Sequence, residues 1–195
     1  MKPFFLILLF ASLFSCQKEK LATPVLKNQV PSFFVLKSKT NAKNNLLYVA
    51  DKIYSGFVYQ LNSVTADTLL ISGYYNGLKE GVSKKWYANN QLMETRYYSS
   101  GQKNGKQVAF WENGSKRFDY TAKKDAYEGE FKEWNMNGKL IHLAHYRNGQ
   151  EEGAQKLWYD NGKIRANYVI IDGKRYGLLG TKNCVNVSDR IFTDK

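Results

Sequence analysis

The stretch YRNGQEEGAQKLWYDNG at residues 146–162 contains the signals that decide the fold. It holds two Asn-Gly dipeptides, Asn148-Gly149 and Asn161-Gly162, with the run Lys156-Leu157-Trp158-Tyr159 between them. Asn-Gly tolerates the positive φ angles that tight hairpin turns require. Short runs rich in aromatic residues are typical of strands. The stretch therefore predicts a β-hairpin.

Glycines repeat along the chain with a period of 24 residues. One series consists of Gly81, Gly105, Gly129, Gly153 and Gly177. A second series, four residues earlier, consists of Gly77, Gly101, Gly149 and Gly173, with Asp125 at the remaining position. A third consists of Asn90, Gly114, Gly138 and Gly162, and aromatic residues follow the first series by five positions at Trp86, Phe110, Trp134 and Trp158. A fixed period of this length indicates a repeat architecture.

Each unit of about 24 residues is predicted to be a hairpin with two strands of about five to seven residues and two turns. The glycines of the first series, Gly81 to Gly177, are interpreted as repeat turn glycines. About five hairpins side by side, at about 4.8 Å per strand, predict a sheet on the order of 50 Å long. The expected fold class is all-β, an elongated antiparallel β-hairpin repeat array.

The chain divides by composition into five segments. All fifteen glycines lie between Gly56 and Gly180, and all three prolines precede them. The expected segments are a lipoprotein signal peptide at 1–15, a polar tether at 16–32, N-terminal cap strands at 33–53, hairpin repeats at 54–180 and a C-terminal cap or tail at 181–195.

The N-terminus resembles a bacterial lipoprotein signal. Lys2 is followed by an apolar run from Phe4 to Phe14, and Ser15 directly precedes Cys16. The resemblance implies lipid attachment at Cys16 and anchoring in a bacterial cell envelope, at the outer membrane, and the alternative is an ordinary signal peptide. Because Cys184 is the other cysteine and a lipidated Cys16 could not pair with it, no internal disulfide is expected.

The repeats resemble the MORN repeat variant. The residues that carry the resemblance are Tyr75-Asn76-Gly77 through Gly81 and Trp86, together with the stretch 146–162. This pattern is known in bacterial chains often labelled YwqK-type antitoxins. The resemblance implies a hairpin array that serves as a scaffold or interaction surface, without a known catalytic site.

Lysine and aromatic residues recur two positions apart in the predicted strands, and residues two apart share a strand face. The candidate binding face consists of Lys84, Trp86, Phe110, Lys132, Trp134, Lys156 and Trp158, with Val108 at the remaining lysine position. One interpretation is a buried aromatic seam along which the lysine stems lie. The other is an exposed aromatic and basic stripe that binds an anionic partner.

The formal net charge of +12 favours anionic partners. The leading hypothesis is a non-catalytic envelope lipoprotein, held in the membrane by its lipid anchor, that acts as a scaffold for an envelope protein or an anionic lipid or glycan. The alternative is an antitoxin or immunity-like protein that neutralises a partner toxin. Nucleic acid is not expected as a partner of an exported chain, and the sequence leaves the oligomeric state open.

No cofactor, metal site or enzymatic activity is expected. His142 and His145 are three residues apart, which places them on opposite faces of a strand. No phosphate-binding loop or nucleophile motif occurs in its required context.

Overall fold

The structure, a computed structural model, describes residues 28–180. The signal peptide, Cys16, most of the tether, Cys184 and the 181–195 tail lie outside the described residues. A short 3-10 helix, Lys37–Lys39, and sixteen strands make up the described part of the chain. The strands are β1 (Phe34–Leu36), β2 (Thr40–Lys43), β3 (Leu46–Val49), β4 (Lys52–Ile53), β5 (Gly56–Leu61), β6 (Thr68–Tyr75), β7 (Leu78–Trp86), β8 (Leu92–Ser99), β9 (Gln102–Phe110), β10 (Lys116–Lys123), β11 (Ala126–Trp134), β12 (Leu140–Arg147), β13 (Gln150–Glu151), β14 (Gly153–Trp158), β15 (Ile164–Ile171) and β16 (Lys174–Leu178).

Thirteen of these strands form one long sheet in the order β1-β5-β6-β7-β8-β9-β10-β11-β12-β14-β15-β16, with β13 paired to β12. From β5 onward every pairing is antiparallel and joins strands that follow each other in sequence, except that β12 pairs with β14 as well as with β13. Strand β1 runs parallel to β5. Strands β2, β3 and β4 form a separate small sheet. The predicted all-β hairpin array is confirmed.

The strands are longer than the sequence predicts. From β6 to β12 they have eight or nine residues, in place of the expected five to seven. The difference arises because the hairpin turns at one edge of the sheet occupy only two residues, so that most of each unit remains in strands.

Five turns of two residues, spaced by 24 residues, connect the strands at this edge. In each turn both residues have positive φ, for example 49° at Asn76 and 76° at Gly77. This geometry matches the right-handed twist of the flanking strands. Asp125 adopts a φ of 67° where the other units have glycine, and its Oδ1 accepts a hydrogen bond from the Lys103 N–H at 2.9 Å.

The glycine series assigned to turns lies instead in strands. Gly81, Gly105 and Gly129 lie inside β7, β9 and β11, with φ of 74°, 98° and 73°. Next to Gly81 and Gly105 the register shifts, because between the flanking pairs one residue of the preceding strand lies opposite three residues of the glycine-containing strand. Positive φ in a strand favours glycine and produces a β-bulge. The turn assignment is therefore corrected to a bulge assignment at these positions.

The remaining two members of the series are also strand residues. Gly153 begins β14 with a φ of 68°, and Gly177 lies in β16 and pairs in regular register with Tyr168.

Hydrogen bonds between successive turns join the hairpins along the edge. The N–H groups of Gly77, Gly101 and Gly149 donate to carbonyls of the preceding unit at Tyr54, Lys79 and Tyr127, at 2.8 to 2.9 Å. At the opposite edge, side chains of one loop bond to the next, as Trp111 Nε1 does with the Trp134 carbonyl at 3.0 Å. Each repeat is thus bonded to its neighbours at both ends of its strands as well as along them.

One face of the long sheet, which we call the inner face, holds most of the buried side chains. Cross-strand pairing aligns on it Ser83, Arg96, Gln107, Tyr120, Phe131 and Ala144. Ser83, Gln107, Tyr120 and Ala144 are buried in this row. Phe118, Tyr120, Tyr127, Phe131, His142 and Tyr146 form a continuous ring cluster there.

Two fully buried glutamines support the backbone beside the bulges. Gln107 Nε2 donates to the carbonyls of Tyr97 and Gly105 at 2.9 and 3.1 Å. Gln155 Nε2 likewise donates to the backbone carbonyls of His145 and Glu152, at 2.8 and 3.2 Å. Buried backbone carbonyls need a donor, and the amide provides one where the bulge disturbs the ladder.

Within residues 28–180 no helix combines the length and apolar character needed to cross a membrane.

We predict that Gln107→Met destabilises the fold. Methionine keeps the side-chain volume but removes the amide donor from two partly buried carbonyls, a loss of about 1–3 kcal/mol. The measurement is the midpoint of urea unfolding, with Gln102→Met at an exposed position of the same strand as the control. A Gln107→Met midpoint equal to that of the unsubstituted chain would show that the amide contributes nothing.

Candidate functional site

The residues of the predicted binding face lie on the face of the sheet opposite the inner face, and we call it the outer face. Cross-strand pairing connects Lys84, Thr95, Val108, Asp119, Lys132, Leu143 and Lys156 in one continuous row. Strand alternation places Trp86, Phe110, Trp134 and Trp158 on the same face, two residues further along their strands. All seven predicted residues are therefore brought to one surface.

The outer face combines features of both sequence interpretations. Lys84 and Lys156 are exposed, whereas the four aromatic side chains are partly buried. The aromatics thus lie along the sheet with part of each ring open to solvent, and the lysine head groups lie beside them. This is the usual arrangement when a long basic side chain covers apolar surface with its stem.

The row also contains an acidic residue that sequence reasoning missed. Asp119 lies between Val108 and Lys132 and pairs with two lysines, through Oδ1 with Lys106 and through Oδ2 with Lys116 at 3.2 Å. Its side chain is 15% exposed, against 35% for Lys106 and 43% for Lys116. Two ammonium groups around one carboxylate leave an excess positive charge at the repeat where the lysine position is occupied by Val108.

We call Lys106, Lys116 and Asp119 the Asp119 cluster. The sequence contains a signal for part of it. Lys106, Val108 and Phe110 alternate along β9, which places Lys106 on the same face as the other two. Lys106 lies two positions before Val108, outside the repeat position shared by Lys84, Lys132 and Lys156. Lys116 and Asp119 lie in the next strand, and their contact with Lys106 depends on the register between β9 and β10.

The three predicted lysines differ in their partners. Lys132 forms an ion pair with Glu130, and the two side chains are 38% and 46% exposed. Lys84 and Lys156 have no ion pair with any residue in the described range 28–180. The charge of Lys132 is therefore partly compensated, although an exposed pair of this kind is weak.

A concavity of about 390 Å³ lies at the centre of the outer face. Its lining residues are Leu92, Thr95, Tyr97, Lys106, Val108, Phe110, Lys116 and Asp119. The apolar part comes from Val108, Phe110 and Leu92, and the charged part from the Asp119 cluster. A largely apolar wall with a few converging polar groups is the usual composition of a ligand site.

Cations also lie close to aromatic rings on this part of the sheet. Lys116 Nζ is 5.2 Å from the centroid of the Trp134 ring, and the Arg117 guanidinium carbon is 4.6 Å from that of Trp111. Both distances lie within the range of cation–π attraction. Lys116 therefore links the Asp119 cluster to the aromatic position of the following repeat.

The two histidines do not form a joint site. Cross-strand pairing places His142 opposite Glu133 and His145 opposite Glu130, so they face opposite sides of the sheet. Burial lowers the pKa of His142, and the Glu133 carboxylate, 3.9 Å away, opposes this shift. No group of three or more His, Cys, Asp or Glu residues able to hold a metal ion occurs in the described part of the chain.

Comparison with known proteins identifies the repeats. No curated protein matches the chain. A family model described as MORN repeat variant matches residues 79–100, 127–148 and 151–168. The unmatched unit between the first two matches has the same strand pair, β9 and β10, and its turn carries Asp125 in place of glycine. The chain therefore contains MORN repeat variants, and such repeats suggest a repeat-based binding scaffold.

Proposed function

We propose that this protein is a non-catalytic scaffold of a bacterial envelope, tethered through a lipid on Cys16, and that its outer face binds an anionic partner. The observation that carries the proposal is the alignment of the lysines in one row of the sheet, with the partly exposed aromatics beside them on the same face.

The charge of the outer face favours an anion. The row and its neighbours carry five ammonium groups, those of Lys84, Lys106, Lys116, Lys132 and Lys156, and two carboxylates, those of Asp119 and Glu130. Lysines in equivalent positions of adjacent repeats are two strands apart, or about 10 Å. This exceeds the Debye length of about 8 Å at physiological salt, so each lysine acts mainly on the anionic group nearest to it.

The aromatic residues add contact area beside each cation. A flat, partly exposed ring next to an ammonium group suits a partner with both an apolar surface and a negative charge. The outer face is shallow along this row and includes the 390 Å³ concavity. This shape suits binding of an extended partner.

The tether belongs to the proposal because of the sequence around Cys16. An apolar run ending in Ser15-Cys16 is the signal that leads to acylation of the cysteine. Multiple acyl chains, at about 0.8 kcal/mol per buried methylene, anchor a protein stably to a membrane. The outer face would then act close to anionic lipids, glycans and proteins of the envelope.

We predict that the triple variant Lys84→Gln, Lys132→Gln, Lys156→Gln binds more weakly to vesicles of phosphatidylglycerol and phosphatidylcholine. A lysine near an anionic surface contributes about 1 kcal/mol, and two of the three are free of ion pairs, so we expect about thirtyfold weaker binding. The measurement is vesicle co-sedimentation over a range of salt concentrations.

The matched control is Lys43→Gln, Lys52→Gln, Lys174→Gln, which removes the same charge from exposed positions outside the row. The control should retain most of the binding. Equal losses of vesicle affinity in both triple variants would show that net charge alone determines binding. Unchanged vesicle affinity in the first triple variant would show that the outer face is not the binding surface.

We predict that Cys16→Ala releases the protein from the membrane fraction of the producing bacterium, because the residue that carries the lipid is lost. Cys184→Ala, which changes the other cysteine, should leave the protein with the membranes. Membrane sedimentation of the Cys16→Ala protein would contradict the lipid anchor, and the measurement is immunoblotting of separated membrane and soluble fractions.

A further inference from the structure

We infer that the partner of the outer face is a linear acidic polysaccharide with one carboxylate per disaccharide, lying across the strands. This inference rests on the proposed function and narrows the class of anion that the face recognises. It depends on three features of the surface, namely the spacing of its aromatic rings, the position of each cation relative to a ring, and the polar groups in the central concavity.

The aromatic rings recur at the length of a disaccharide unit. Trp86, Phe110, Trp134 and Trp158 lie on β7, β9, β11 and β14, and one strand separates each from the next. Two strand spacings equal about 10 Å. An extended glycan repeats over a similar length per disaccharide, so that every second sugar would meet a ring. The apolar face of a sugar ring stacks on such a surface.

The cations lie to one side of this row of rings. In β7, β11 and β14 the lysine is two residues before the aromatic, a distance of about 7 Å along the strand. In β9 the lysine position is Val108, and Lys106 and Lys116 supply the charge. A polymer running over the rings would thus pass one region of positive charge per disaccharide.

The polar groups of the central concavity favour a sugar over a layer of lipid headgroups. Thr95 and Tyr97 bring hydroxyl groups to it, and Asp119 brings an acceptor. Sugar hydroxyls can donate to Asp119, whereas the phosphate groups of a lipid layer carry no donor for this acceptor at neutral pH. The volume of about 390 Å³ falls within the range of small-ligand sites and suits one or two sugar rings.

Glu130 opposes binding of an acidic polymer at one repeat. It is the more exposed member of its pair with Lys132, at 46%. Removal of its charge frees the Lys132 ammonium group for the polymer. This makes Glu130→Gln a gain-of-affinity variant, which a folding defect could not imitate.

The experiment is titration calorimetry of purified residues 17–195, which lack the signal peptide and the lipidated cysteine, against hyaluronan oligosaccharides, in which glucuronate alternates with an amino sugar. The rings from Trp86 to Trp158 span about 29 Å, six strand spacings, which an octasaccharide covers. Affinity should therefore rise from the tetrasaccharide to the octasaccharide and change little for the dodecasaccharide. The uncharged N-acetylglucosamine oligomer should bind more weakly.

Three variants test the residues. Trp134→Ala should weaken octasaccharide binding about tenfold, while binding to the phosphatidylglycerol vesicles changes less than twofold. Glu130→Gln should strengthen octasaccharide binding about threefold. Glu112→Gln, which removes the same charge from an exposed loop position, is its matched control and should have no effect.

The outcomes separate this inference from the proposed function. The polysaccharide inference alone is overturned if the protein binds vesicles through its lysines but does not bind the octasaccharide. It is also overturned if the octasaccharide binds and neither Trp134→Ala nor Glu130→Gln changes its affinity. Absence of binding to both vesicles and octasaccharide overturns the proposed function and this inference with it.

Discussion

The structure depends on two-residue turns in which both residues have positive φ. Such a turn fixes which residues of the two strands lie opposite each other. Because strand side chains alternate, a slip of one residue would move every lysine and tryptophan of the outer face to the inner face. The same turn geometry at five positions spaced by 24 residues therefore keeps equivalent side chains of all repeats on one side of the sheet. Asp125 shows that the backbone conformation, more than the presence of glycine, is what the position requires.

The bulges and the buried glutamines are a second constraint. A bulge inside the second strand of a hairpin disturbs the ladder, and Gln107 and Gln155 donate to carbonyls beside it from fully buried positions. The inner face thus combines a ring cluster with buried polar groups, in a sheet where each repeat contacts only its neighbours. Stability in such an array is approximately a sum of repeat and interface contributions.

The period, the hairpin turns and the common face of the lysines and aromatics could be predicted from the sequence. The shared face of the lysines and aromatics follows from the alternation of side chains within one strand. This alternation can be recognised without knowing which strand lies next to it. The bulge positions of Gly81, Gly105 and Gly129 could not be predicted in this way, because positive φ occurs in turns and bulges alike. The Asp119 cluster could not be predicted, because its contacts depend on the register between β9 and β10. The pair between Glu130 and Lys132 was not predicted, because Glu130 lies outside the repeat position that Lys132 occupies.

We propose that the anionic partner binds the outer face and no other basic surface within residues 28–180. The most direct test of this proposal is lysine acetylation measured by mass spectrometry, with and without saturating phosphatidylglycerol vesicles. We expect protection of Lys84 and Lys156, weaker protection of Lys132, which already contacts Glu130, and unchanged rates at Lys43 and Lys52. Uniform protection of all exposed lysines, or protection confined to Lys43 and Lys52, would contradict it.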